Sequence, residues 1–132
     1  LARALQQHPS TRFIGHGPGW WASISGKITA EDLARYPDGP VQSGGAIDTL
    51  MEKYPNLYGD LSAGSGAQAI SRDPQFGREF LIRRADRLMF GTDYLSPGQD
   101  VPQLKLFRSI DLPADVQAKI FRDNARKLLG LS

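Results

Sequence analysis

"RLMFGTDYL", residues 87–95, decides how the rest of the chain is read. Leu88, Met89 and Phe90 make a short apolar run of the kind that builds a buried strand. A glycine, a threonine and then the carboxylate of Asp93 follow directly. A charge at the end of a core strand is costly unless something there uses it. In a parallel α/β fold the C-terminal ends of the strands, with their loops, form the ligand-binding face. Asp93 would then sit at the rim of the core, facing a metal, a cationic partner or a substrate proton. Its other reading is a turn residue or helix cap in the turn-rich "GTDYLSPG" (91–98).

Two earlier stretches repeat the theme. "RFIGHG" (12–17) is a short apolar strand that runs into His16, and "NLYGDLS" (56–62) is a strand that runs into Asp60. Helices are expected between them. Leu1, Ala2 and Leu5 have helical spacing over 1–7, and Pro9 ends that helix. Residues 22–43 are broken by Gly26, Pro37, Gly39 and Pro40, and hold at most a short helix around "AEDLARY" (30–36). In "GGAIDTLMEKYPN" (44–56), Ile47, Leu50, Met51 and Tyr54 fall at i, i+3, i+4 and i+7, the stripe of an amphipathic helix.

After "AGSG" (63–66) a helical stretch is expected from Ala67. A second helix follows with Asp73 as N-cap and Pro74 at its first position. Asp100 is expected to cap a short helix over 101–109. A last helix is expected from Pro113 to Leu129, with Gly130 at the C′ position. Strands alternating with helices imply βαβ units and a parallel sheet.

Among the polar residues, His16 and Asp93 are the candidate pair. A carboxylate can hold a divalent cation, while an imidazole titrating near neutrality relays a proton to or from water. His16 also has a plainer reading, as a turn residue satisfied by backbone. Asp60 is the weaker candidate, because other residues after "YGD" could form the rim. His8, before Pro9 at a helix end, reads as a solvated histidine. Trp20 and Trp21 can wall a pocket, but as neighbours at least one should pack into the scaffold. "GSGAQA" (64–69) fits G-x-G-x-x-A and opens a helix, so a nucleotide-binding loop is an alternative. Against it, the preceding strand is short, and no acidic residue stands about 20 positions on until Asp93.

The chain of 132 residues is enough for one domain with a sizeable core, and its 40% hydrophobic and 23% charged content is ordinary for a globular protein. Sixteen basic against fourteen acidic residues leave a net charge of only +2. No basic patch interleaves with stacking aromatics, so a nucleic-acid partner is not expected. There are no cysteines, which excludes disulfides, thiolate metal sites and cysteine nucleophiles. No apolar run nears the ~18 residues of a membrane span, and no signal peptide opens the chain. A cytoplasmic location is expected, although absence of cysteine suits the periplasm equally. Leu1 stands where a methionine would begin a protein, and "LARALQQHP" reads as the middle of a helix. A piece of something longer is expected.

Four stretches together resemble the last part of the amidohydrolase-related proteins: "RFIGHGPGWW" (12–21), "YPNLYGDLSAGSG" (54–66), "DRLMFGTDYLSPG" (86–98) and "IFRDNARKLLGL" (120–131). These are metal-dependent (β/α)8-barrel hydrolases and decarboxylases. The resemblance implies that residues 1–132 are one partial barrel domain, with its three strands as the sixth, seventh and eighth. It implies that Asp93 is the eighth-strand metal ligand, which can also take a proton from the attacking water, and that His16 is the sixth-strand histidine that activates metal-bound water or, in two-metal relatives, is itself a ligand. The cofactor would be a divalent metal, zinc first and manganese second, and the partner a small-molecule substrate. Asp60 matches no catalytic position of the family. The resemblance also implies a His-x-His pair and a further strand-end histidine that this chain lacks, so the chain alone is expected to be inactive. A barrel relative that has lost catalysis is the other alternative.

Overall fold

The computed structural model of the protein describes residues 1–131. Three strands, β1 (Phe13–Gly15), β2 (Leu57–Asp60) and β3 (Leu88–Met89), form one parallel sheet in the order β1-β2-β3. The register pairs Phe13 with Leu57, Gly15 with Gly59, Gly59 with Leu88, and Asp60 with Met89. Eight helices surround it: α1 (Ala2–Gln7), α2 (Pro18–Ala22), α3 (Ala46–Lys53), α4 (Ala63–Ser71), α5 (Pro74–Arg83), α6 (Pro102–Ser109), α7 (Ala114–Ala118) and α8 (Asn124–Leu129). The fold is mixed α/β with parallel strands, as the alternation of elements required. No helix among the described residues is long and apolar enough to cross a membrane.

Because side chains alternate along a strand, the two faces of the sheet differ. Leu57, Gly59 and Leu88 turn to one face and are buried. There Met51 of α3 and Trp21 of α2 approach Gly59 closely: a Cβ on it would lie 3.2 and 3.4 Å from their side chains. Trp21 and Phe80 of α5 meet edge to face, with centroids 6.5 Å apart. Ile14 lies on the opposite face and stays half exposed. The core therefore lies on one side, between the sheet and helices α2, α3 and α5.

Two asparagines staple the loops to this core. Asn56, at the start of β2, donates its side-chain amide to the carbonyls of His8 and Thr11 at 3.0 Å and of Leu5 at 3.3 Å. That closes the end of α1 onto the sheet. Asn124, at the start of α8, donates to Leu88 O at 2.8 Å and Ala85 O at 2.6 Å, fixing the entry to β3. An ion-pair cluster ties α3 to α5: Arg83 and Arg84 both reach Asp48, at 2.8 and 2.7 Å, and Arg84 also reaches Glu52.

Several expected elements hold. The α3 stripe buries Ile47 and Met51. Asp73 caps α5 by accepting from Phe76 N at 3.1 Å, with Pro74 next to it. Gly130 takes the left-handed conformation after α8. Four details differ. α2 is a helix where a Gly/Pro turn was expected: Gly17 at φ 87° turns the chain, and Pro18 opens the helix. α4 starts at Ala63 rather than Ala67. Asp100 is not the cap of α6: Val101 holds that place without a side-chain bond, and Pro102 supplies the start. The last helix is interrupted by a π-helical turn, Lys119–Asp123. There the carbonyl of Ile120 accepts the N–H of Phe90 at 2.9 Å, just beyond β3. A single-turn π-bulge of this kind frees a carbonyl for such a contact.

Candidate functional site

The site is built at the C-terminal ends of the strands. β1 delivers His16 one residue past Gly15, and β2 delivers Asp60 as its last residue. The parallel register brings these two ends side by side, and His16 Nδ1 lies 3.1 Å from Asp60 Oδ2. Ser62, the residue before α4, completes the group. Its hydroxyl donates to Asp60 Oδ2 at 2.9 Å and stands 3.2 Å from His16 Nδ1, while its backbone N–H donates to Asp60 Oδ1 at 2.9 Å. The His16 side chain is 46% exposed and that of Asp60 30%, so the cluster opens outward from a supported base.

Trp20 and Trp21 divide their work. Trp21 is fully buried and donates its indole N–H to the carbonyl of Asp60 at 2.9 Å. Trp20 lies flat against Gly15, so close that a Cβ there would sit 2.1 Å from the ring. With His16, Phe13, Ile14 and Leu57 it lines a cavity of about 270 Å³ beside the histidine. A larger cavity of about 560 Å³ lies away from the strand ends, around Asp48, Glu52 and Arg84. Asp48 and Glu52 there are already paired with Arg84.

The G-T-D turn after β3 packs against the same cluster. A Cβ on Gly91 would lie 2.9 Å from Ser62 Cβ and 3.2 Å from Asp60 Oδ1, which is why a glycine stands there. Asp93 is two residues on, at φ 50°, a left-handed conformation that aspartate tolerates better than most side chains. Its carbonyl accepts from Gln99 Nε2 at 2.8 Å, and that of Thr92 from Gln103 Nε2 at 2.7 Å. Asp93 caps no helix. Among the described residues its carboxylate forms no hydrogen bond or ion pair, and it does not contact His16 through one.

The donor set can be tested against a divalent metal. A catalytic zinc takes three protein ligands. Among the described residues no group of three or more His, Asp or Glu side chains converges in a way that could hold an ion. These residues do not fit a metal as a complete set; Asp93 is a single free carboxylate.

Two sequence expectations change here. Asp60, the weaker candidate, is the direct partner of His16. No sequence spacing shows this, because the two stand 44 residues apart and meet only through strand pairing. Ser62 was not singled out at all. The G-x-G-x-x-A stretch does not form a loop. Gly64 and Gly66 lie within the first turn of α4, and the chain turns at Ala63, at φ 61°. Gly66 has a packing role, since a Cβ there would lie 2.6 Å from Leu61 O.

With this geometry in place, comparison with known proteins defines the class. Residues 1–131 match the family model for amidohydrolases, and the chain belongs to that family. No curated protein and no solved structure gives a match.

Proposed function

We propose that this chain forms the last three strand–helix units of a (β/α)8 barrel in a metal-dependent hydrolase. The observation that carries the reading is the shared edge. In a chain of the amidohydrolase family, parallel strands present His16, Asp60 and, after the third, Asp93 at their C-terminal ends, where barrel enzymes carry their chemistry. The half-exposed Ile14 on the opposite sheet face is in keeping with a barrel interior that further strands would complete.

In this reading His16 moves a proton between water or substrate and the pocket. Asp93 would offer its unpaired carboxylate to a divalent metal, zinc first and manganese second, and the remaining ligands would have to come from outside the described residues. Such a metal supplies polarisation of water or of a substrate oxygen. The reaction class is hydrolysis of a C–N or C–O bond, with non-oxidative decarboxylation of a small organic acid as the variant. The residues described are expected to hold no stoichiometric metal on their own.

The test is the reading frame upstream of Leu1 in its native context, followed by metal analysis of the full product. A strand ending in His-x-His, a later strand-end histidine and bound metal lost on Asp93→Ala support the proposal. An upstream region without those histidines, or a product without metal, overturns it.

A further inference from the structure

We propose that Asp60 is a positioning residue that holds His16 in the Nδ1–H tautomer, so that Nε2 is the atom that takes and gives the proton. The inference rests on the reading of His16 as the proton relay and adds which nitrogen acts and what sets it.

The argument is one of donors and acceptors. Asp60 as a carboxylate can only accept. Its Oδ1 receives the backbone N–H of Ser62, and its Oδ2 receives the Ser62 hydroxyl. The remaining neighbour of Oδ2 is His16 Nδ1 at 3.1 Å. A bare Nδ1 would set its lone pair against a carboxylate oxygen. A protonated Nδ1 donates to it, and the donor is charge-assisted at the acceptor. The Ser62 oxygen, 3.2 Å from the same nitrogen, is satisfied by the same choice because its own hydrogen is already turned to Asp60. Both contacts therefore select Nδ1–H. Neutral imidazole carries one proton, so Nε2 keeps its lone pair. This is not a nucleophilic serine arrangement: serine and carboxylate share one ring nitrogen, where such a triad uses both.

Asp60 is itself well held, which a positioning residue must be. Trp21 fixes its backbone from the core, and Ser62 holds both carboxylate oxygens.

The histidine count makes the test clean, since the chain has only His8 and His16. Imidazole ¹⁵N NMR of the ¹⁵N-histidine-labelled chain, about two pH units above the ordinary histidine value, reads the tautomer of each ring directly. His8 serves as the internal reference for a solvated ring. In the wild type, His16 should favour Nδ1–H over Nε2–H by roughly tenfold, in line with a hydrogen bond to a charged acceptor. Asp60→Asn should invert the ratio. The amide oxygen must take the Oδ1 place opposite the Ser62 N–H, which turns the amide NH₂ toward Nδ1 and makes that nitrogen the acceptor. Ser62→Ala should leave Nδ1–H dominant.

A wild-type His16 that matches His8, or an Asp60→Asn ratio that does not move, overturns the proposal. So does loss of Nδ1–H in Ser62→Ala, which would assign the positioning to serine. Should Asp60→Asn fail to fold, the wild-type and Ser62→Ala spectra decide. The readout involves neither metal nor turnover, so its failure and the failure of the enzyme reading are separate results.

Discussion

The indole N–H of Trp21 is bonded to the carbonyl of Asp60 at 2.9 Å. One partner is a fully buried ring packed on Phe80, and the other is the last residue of the central strand, whose carboxylate faces His16. Core packing and site geometry are thus joined through one residue, and core changes near Trp21 should be felt at His16.

Gly15 gives access to the neighbouring ring, Trp20, on the His16 side of the sheet end. Its Cα surface is covered by the Trp20 ring. Gly15→Ala should displace the indole and expose it, with a red-shifted tryptophan emission and an altered His16 ¹⁵N signal. The cost in stability should be about 1–3 kcal/mol, the usual range for overpacking. An unchanged emission spectrum would show that Trp20 does not rest on Gly15.

Gly66→Ala sets two effects against each other. Alanine is favoured over glycine in a helix by about 1 kcal/mol, but here its methyl would press on backbone, at 2.6 Å from Leu61 O. Backbone yields less readily than a side chain, so a net loss of about 1–3 kcal/mol is expected in urea unfolding. A stabilised variant would mean that α4 can shift away from the end of β2.

Asn124→Ala should cost about 2–4 kcal/mol. It removes the donors to Ala85 O and Leu88 O in a buried setting, and each carbonyl then bears a desolvation penalty of about 1–3 kcal/mol, softened where water enters. The denaturation midpoint should fall with an unchanged slope. The asparagine of the "DNAR" segment is therefore expected to act on stability.

Asp48 makes stability depend on acid. Burial pushes its carboxyl up, but hydrogen bonds from Arg83 and Arg84 outweigh that and hold it below the ordinary aspartate value. Unfolded, it returns to about 3.9, so the unfolded chain binds the proton first as pH falls. The contribution is fully present above about pH 4 and is lost as pH drops through the folded value. Urea midpoints measured from about pH 6 to about pH 3 should decline in the wild type, and less steeply in Asp48→Asn. Parallel curves would show that the arginines do not stabilise the ionised form.

Asp93→Asn should separate fold from function. The carboxylate has no partner among the described residues, and asparagine accepts the same left-handed backbone. Stability should change by less than about 0.5 kcal/mol, while metal content of the full product falls at least tenfold. Loss of fold instead would make Asp93 a structural turn residue.

Local signals carried far in this chain. Asp73-Pro74, the Ile47–Tyr54 stripe and Gly130 each have their cause within a few residues, and each appears where it was expected. α2 was hidden because five residues are too few to show a helical period. α4 was hidden at its start because Gly64 and Gly66 look like a loop, while their reason, the approach to Leu61, lies in the tertiary fold. His16 could be picked as a strand-end histidine. Its partner could not, since only the β1–β2 register brings Asp60 to it.

The Phe90–Ile120 bond leaves the two rims of the sheet unequal. On the β3 side, the first amide past the strand is already bound to a helix carbonyl. On the β1 side, the described residues place no neighbouring strand. A strand that pairs with β3, as closure of a barrel would require, must therefore end before Phe90, because that amide is already taken by Ile120.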